Sequence, residues 1–100
     1  MSYRQIITED IRLHVLRAMA QEPDYALNDY VLRRALQLVG HDIGGDRLRT
    51  ELHWLAEQGL ITVDPVSEHT LVAKLTPRGE DVGLGRAHVP GVARPRPGER

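Results

Sequence analysis

Arg47, Arg49, Thr50 and His53 lie within one stretch of seven residues, and all four side chains hydrogen-bond readily to nucleic acid. Arginine offers a planar fork to guanine edges or phosphate, threonine a hydroxyl and histidine a ring nitrogen. Leu48 and Leu52 within that stretch, and Leu55 just after it, are spaced as the buried stripe of a helix. With those leucines turned inward, a rotation of about 100° per residue puts Asp46, Thr50, His53 and Glu57 outward. Arg47 and Trp54 then fall on one flank and Arg49 on the other. This face can meet base edges and phosphates of double-stranded DNA. It also fits a solvated helix face, because Asp46 and Glu57 repel phosphate.

Other basic groups extend the set. Arg33 and Arg34 sit side by side on a preceding helical segment, where they can touch phosphate or simply keep the surface soluble. Lys74 and His69 flank a polar break that also holds Asp64 and Glu68. Arg94 and Arg96, with Arg100, alternate with prolines and form a basic arm suited to a groove, or a disordered terminus. Trp54, the single tryptophan, fits partial burial or base stacking.

Enzymatic chemistry has little to stand on. The five histidines (His14, His41, His53, His69 and His88) form no His-x-x-x-His or His-Glu-x-x-His spacing. There is no cysteine, hence no thiolate nucleophile or thiolate metal site. No glycine-rich loop follows a strand, and the acids read as spread along exposed faces rather than paired. The expectation is a non-enzyme with no cofactor and no metal.

The elements that must position these residues form a recognisable order. Residues 3–21 carry Ile7, Ile11, Val15 and Ala18 at helical spacing behind a Ser2-x-x-Gln5 capping box. Asn28 caps a second helix reaching residue 39, with Val31, Leu32, Ala35, Leu36 and Val39 as its inner face. After Gly40-His41-Asp42-Ile43-Gly44 comes the third, residues 45–58, closed at Gly59-Leu60. Residues 60–63 and 71–75 are strand-like. Pro65 is expected to keep residues 64–69 out of the ladder as a wing tip. Thr76-Pro77 starts a last, glycine-containing helix. The fold class is mainly α with a small β-hairpin: a winged helix-turn-helix of order α-α-α-β-β-α over residues 1–87, followed by an extended or disordered Pro/Arg tail over 88–100.

Charge qualifies this reading. Residues 1–76 hold 8 Lys+Arg against 11 Asp+Glu, a balance of −3; residues 77–100 hold 5 against 3, a balance of +2. A body of that sign exerts no general pull on phosphate, so DNA affinity has to come from local arginine clusters. A core this small, together with apolar Leu13 lying off the Ile7/Ile11/Val15 stripe, points to a homodimer through the first helix and the segment after Pro77. The opening residues lack a signal-peptide core and no run approaches a membrane span, so the expected location is cytoplasmic, with no membrane partner.

The segments Pro23-Asp24-Tyr25-Ala26-Leu27-Asn28-Asp29, Asp46-Arg47-Leu48-Arg49-Thr50-Glu51-Leu52, Trp54-Leu55-Ala56-Glu57-Gln58-Gly59-Leu60 and Leu75-Thr76-Pro77-Arg78-Gly79-Glu80-Asp81-Val82 resemble a family of small winged-helix proteins. That family comes from Mu-like phages and prophages and is often labelled arsenic-repressor-type (ArsR-like). The tail Gly85-Arg86-Ala87-His88-Val89-Pro90-Gly91-Val92-Ala93-Arg94-Pro95 is similar to it too. The resemblance implies a phage winged helix that binds DNA as a transcriptional regulator, without catalysis. Metal sensing is not implied, since metal-sensing members commonly use cysteine pairs. Of the site residues, it carries over only the recognition-helix segment 46–53. The alternative is a winged helix used as a protein-interaction module in phage assembly or host-factor binding.

Overall fold

Ser2 opens the first helix, α1 (Tyr3–Ala20), with a complete capping box: Gln5 N donates to Ser2 Oγ at 3.1 Å, and Ser2 N donates to Gln5 Oε1 at 2.9 Å. This computed structural model describes residues 2–97. A three-residue strand, β1 (Ala26–Asn28), precedes α2 (Asp29–Leu38), and Asn28 both ends the strand and caps the helix, accepting from Val31 N at 2.8 Å. Then follow α3 (Gly45–Glu57), β2 (Ile61–Ser67), β3 (Thr70–Leu75) and α4 (Pro77–Gly83).

The core is built from Ile11, Val15, Leu16 and Met19 of α1, Leu32 and Leu36 of α2, and Leu48, Leu52 and Leu55 of α3. Leu60, Ile61 and Ala73 close it from the sheet side. Helix α3 stops as its sequence requires: Gly59 N donates to Ala56 O and Leu60 N to Leu55 O, the two bonds of a Schellman ending. Two of the residues expected on the inner face of α2 lie outside it. Val31 and Val39 are largely exposed, because Val31 is turned about 100° from Leu32 and Val39 is the C-cap, past the helical projection.

The sheet is three-stranded and antiparallel, in the order β1-β3-β2. Two sequence expectations change here. Pro65 pairs with Leu71 inside β2, so the hairpin runs on to a short turn at residues 67–70. An edge strand tolerates proline because the missing N–H withdraws no bond from the ladder when it faces outward. Strand β1 adds Ala26, Leu27 and Asn28 opposite Lys74, Ala73 and Val72. Three residues are too few to show a period of two, and only the long-range pairing makes them a strand. The winged-helix architecture holds, with this extra strand inserted before α2.

The C-terminal third is more tightly held than its composition suggests. Thr76 caps α4, accepting from Gly79 N at 3.0 Å, and Pro77 occupies the first turn. Gly79 is a packing requirement, since a methyl group there would overlap the Leu60 carbonyl. The composition of residues 88–100 predicts an extended or disordered arm; the described part, residues 88–97, has no helix or strand, yet Val89 and Val92 are buried in the core. Ala93 N donates to Glu9 O of α1 at 3.2 Å. Burying two valines contributes roughly 1.5–3 kcal/mol each, enough to hold a short proline-rich stretch against the body. Leu13 is also buried within the chain, and α1 packs on α2, β3 and α4. Its off-stripe position therefore serves intramolecular packing. No helix among the described residues is long and apolar enough to cross a membrane.

Candidate nucleic-acid interface

Helices α2 and α3, joined by residues 39–44, form the helix-turn-helix, with the β2–β3 hairpin beside them. The outer face of α3 is as its periodicity requires: Asp46, Thr50, His53 and Glu57 are exposed. Thr50 Oγ1 donates back to Asp46 O at 3.1 Å, which leaves its lone pairs for an incoming donor.

The two flanks of α3 are occupied very differently. On the α1 side, Glu51 is only 4% exposed and its carboxylate is held by two arginines. Arg12 Nε donates to Oε1 at 2.7 Å and Arg47 Nε to Oε2 at 2.9 Å. Arg47 Nη2 continues to Thr8 Oγ1 at 2.7 Å, and Arg12 Nη1 to Gly91 O at 3.0 Å. The Arg12 guanidinium lies 3.6 Å from the Trp54 ring centroid, a cation–π contact in a half-buried site. Gly91, at φ +102°, lets the backbone pass over Trp54; a Cβ there would stand 2.7 Å from the indole. Trp54 is thus partly buried against α1 and residue 91.

On the hairpin side a single guanidinium does the joining. Arg49 Nη2 donates to the His69 carbonyl at 2.8 Å and to Asp29 Oδ2 at 3.4 Å. Arg49, Asp29, Tyr30, Arg33, His69 and Thr70 line a shallow cleft between α2, α3 and the wing. Arg33 Nε donates to Ile43 O at 2.9 Å, fixing the turn of the helix-turn-helix, and Arg34 Nη1 reaches Tyr30 Oη at 3.3 Å. Lys74 stands on the sheet face opposite Leu71, Ala73 and Leu75. Arg94 and Arg96 are exposed and line a groove against α1 with Asp10, His14 and His41, remote in sequence from the α3 set. Arg100 lies outside the described residues.

No protein-family model matches the chain. Individual proteins do. It is 45% identical over 92 residues to the uncharacterized protein gp26 of Escherichia phage Mu, an alignment covering 92% of this chain and 94% of that protein. An uncharacterized protein of Haemophilus influenzae is 40% identical over 95 residues, covering 90% of this chain and 92% of the other. The chain belongs to the phage Mu gp26 family. Among solved structures it is similar to H. salinarum RosR, with a TM-score of 0.64 and 21% identity over 74% of this chain and 66% of that one. The hsRosR-S1 complex gives a TM-score of 0.59 and 22% identity over 70% and 61%. The chain thus spans under two thirds of each of those two chains, and the likeness is one of fold: the winged helix.

In this gp26 relative, sequence reasoning placed the outward face of α3 and missed what holds its flanks. The acids were expected on exposed faces, whereas Glu51 is buried and paired. Its signal was legible, since Glu51 follows Arg47 at i+4 and lies between Leu48 and Leu52. The partners Arg12, Thr8 and Asp29 carried no local signal, because they are brought to α3 by folding.

Proposed function

We propose that this protein is a phage-type winged-helix DNA-binding regulator that reads double-stranded DNA with α3. One observation carries the reading: Thr50 and His53 stand exposed on the outer face of the second helix of a helix-turn-helix, beside an exposed hairpin turn. Arg47 and Arg49 support that face from its flanks, and Arg33 and Arg34 supply positive charge from α2. Lys74, Arg94 and Arg96 are secondary phosphate contacts in this account. The arsenic-repressor-type resemblance enters through the winged helix alone; without cysteine, no metal-responsive role comes with it. The role is non-catalytic and cytoplasmic.

A homodimer reading a two-fold site belongs to the same proposal, with exposed Tyr3 and Ile6 on α1 as its apolar contribution. Sedimentation showing only an 11.3 kDa species at high concentration would remove the dimer. One observation favours the protein-interaction alternative: both α3 arginines are engaged within the chain, on a body of net charge −3 over residues 1–76. Gel mobility of phage genomic fragments at two salt concentrations separates the readings. The regulator shifts a preferred fragment with steep salt dependence, and Thr50→Ala with His53→Ala lowers that preference. The interaction module shifts none at low salt.

A further inference from the structure

We propose that Arg49 is a positioning residue: it clamps the turn of the wing to α3, so that wing and helix present one rigid surface, and it does not itself read a base. The inference rests on the DNA-binding reading of α3 and assigns Arg49 a role within it. The geometry is specific. A guanidinium meets guanine bidentately through either of two edges, Nε with Nη2 or Nη1 with Nη2. Both edges include Nη2, and Nη2 is the atom that donates to the His69 carbonyl at 2.8 Å and to Asp29 Oδ2 at 3.4 Å. Each edge draws on one of the two Nη2 hydrogens, so bidentate readout competes with these two bonds for the same nitrogen.

The clamp also has a reason to persist. His69 O belongs to the turn between β2 and β3, a segment exposed from residue 64 to residue 69. Its other nearby restraint is local, His69 N donating to Ser67 Oγ at 3.3 Å. Arg49 supplies a bond from that turn to the helix beside it. Asp29, in the first turn of α2 and with 15% of its side chain exposed, keeps the guanidinium aimed at the wing. Its charge also lowers the net positive charge that Arg49 offers to phosphate. The sequence-reading work then falls to Thr50 and His53.

The test is backbone ¹⁵N relaxation of residues 66–70 in the full chain, with and without Arg49→Ala, alongside fragment binding across a salt series. The clamp predicts order parameters near about 0.85 in the wild type, falling below about 0.6 at the wing turn in the variant. It further predicts affinity lowered about tenfold for every fragment alike, with fragment preference and salt slope kept. Unchanged wing order overturns the proposal, whether or not DNA is bound. So does a lost preference at one base position, the mark of a base reader. A salt slope reduced by about one unit overturns it too, since that marks a phosphate contact. If wild type binds no DNA, the DNA reading of α3 fails while the relaxation result still decides the clamp. Should Arg49→Ala not fold, Arg49→Lys, which keeps the charge without the planar fork, is expected to show the same loosened turn.

Discussion

The two flanks of α3 use the same residue type to opposite ends. Toward α1, Arg47 and Arg12 converge on one buried carboxylate, with Trp54 and Gly91 packed against Arg12. Toward the wing, Arg49 reaches the carbonyl of an exposed turn at 2.8 Å and, at the longer distance of 3.4 Å, the half-buried carboxylate of Asp29. A buried charge left without its partner has no water to replace it, whereas an exposed one is resolvated at little cost. The α1 flank therefore belongs to stability and the wing flank to the shape of the surface. Composition treats Arg47 and Arg49 alike, and so does their own exposure, 41% and 37%; what separates them is the acceptor, a carboxylate 5% exposed against the carbonyl of an exposed turn.

That contrast can be broken by mutation, beginning with the stripe both flanks share. Leu52, fully buried, is expected to destabilise by about 2–5 kcal/mol as Leu52→Ala. Denaturant unfolding measures this, and an unchanged midpoint would place the helix in another register. Glu51→Ala leaves Arg12 and Arg47 facing each other without their carboxylate, at an expected cost of about 3 kcal/mol. A loss under about 1 kcal/mol would make the α1 flank no more than another surface pair.

Gly91→Ala comes next, at about 1–3 kcal/mol, because the methyl meets Trp54 and the backbone holds a positive φ. Thermal melts together with tryptophan fluorescence read both the loss and its location. Arg49→Ala is the smallest, within about 1 kcal/mol in unfolding free energy. A loss as large as that of Glu51→Ala would erase the difference between the flanks.

Much of this was legible in the sequence, for definite reasons. The leucine stripe of α3 repeats over three turns, long enough to fix both its inward and its outward face. Ser2, Asn28 and Thr76 are caps whose chemistry acts within three residues. What stayed hidden depends on contacts distant in the chain. Strand β1 exists through its pairing with β3, and Pro65 is admitted to β2 because that strand lies at the sheet edge. Residues 88–100 read as an extended or disordered basic arm because prolines and arginines alternate along them, while Val89 and Val92 find their partners in the core. Arg12, 39 residues before Glu51, carries no local mark of its role. The outward residues of the site were readable, and the network that aims them was not.

The most direct test of the account is an amide chemical-shift titration of the isotopically labelled chain with the phage fragment it prefers. We predict the largest changes at Asp46, Thr50, His53 and the wing turn at residues 67–70, with Arg12, Glu51 and Gly91 nearly unmoved. Shifts concentrated on the Arg12–Glu51–Gly91 side, or no change with any phage fragment at low salt, would contradict the claim that α3 and the wing form a DNA-binding surface.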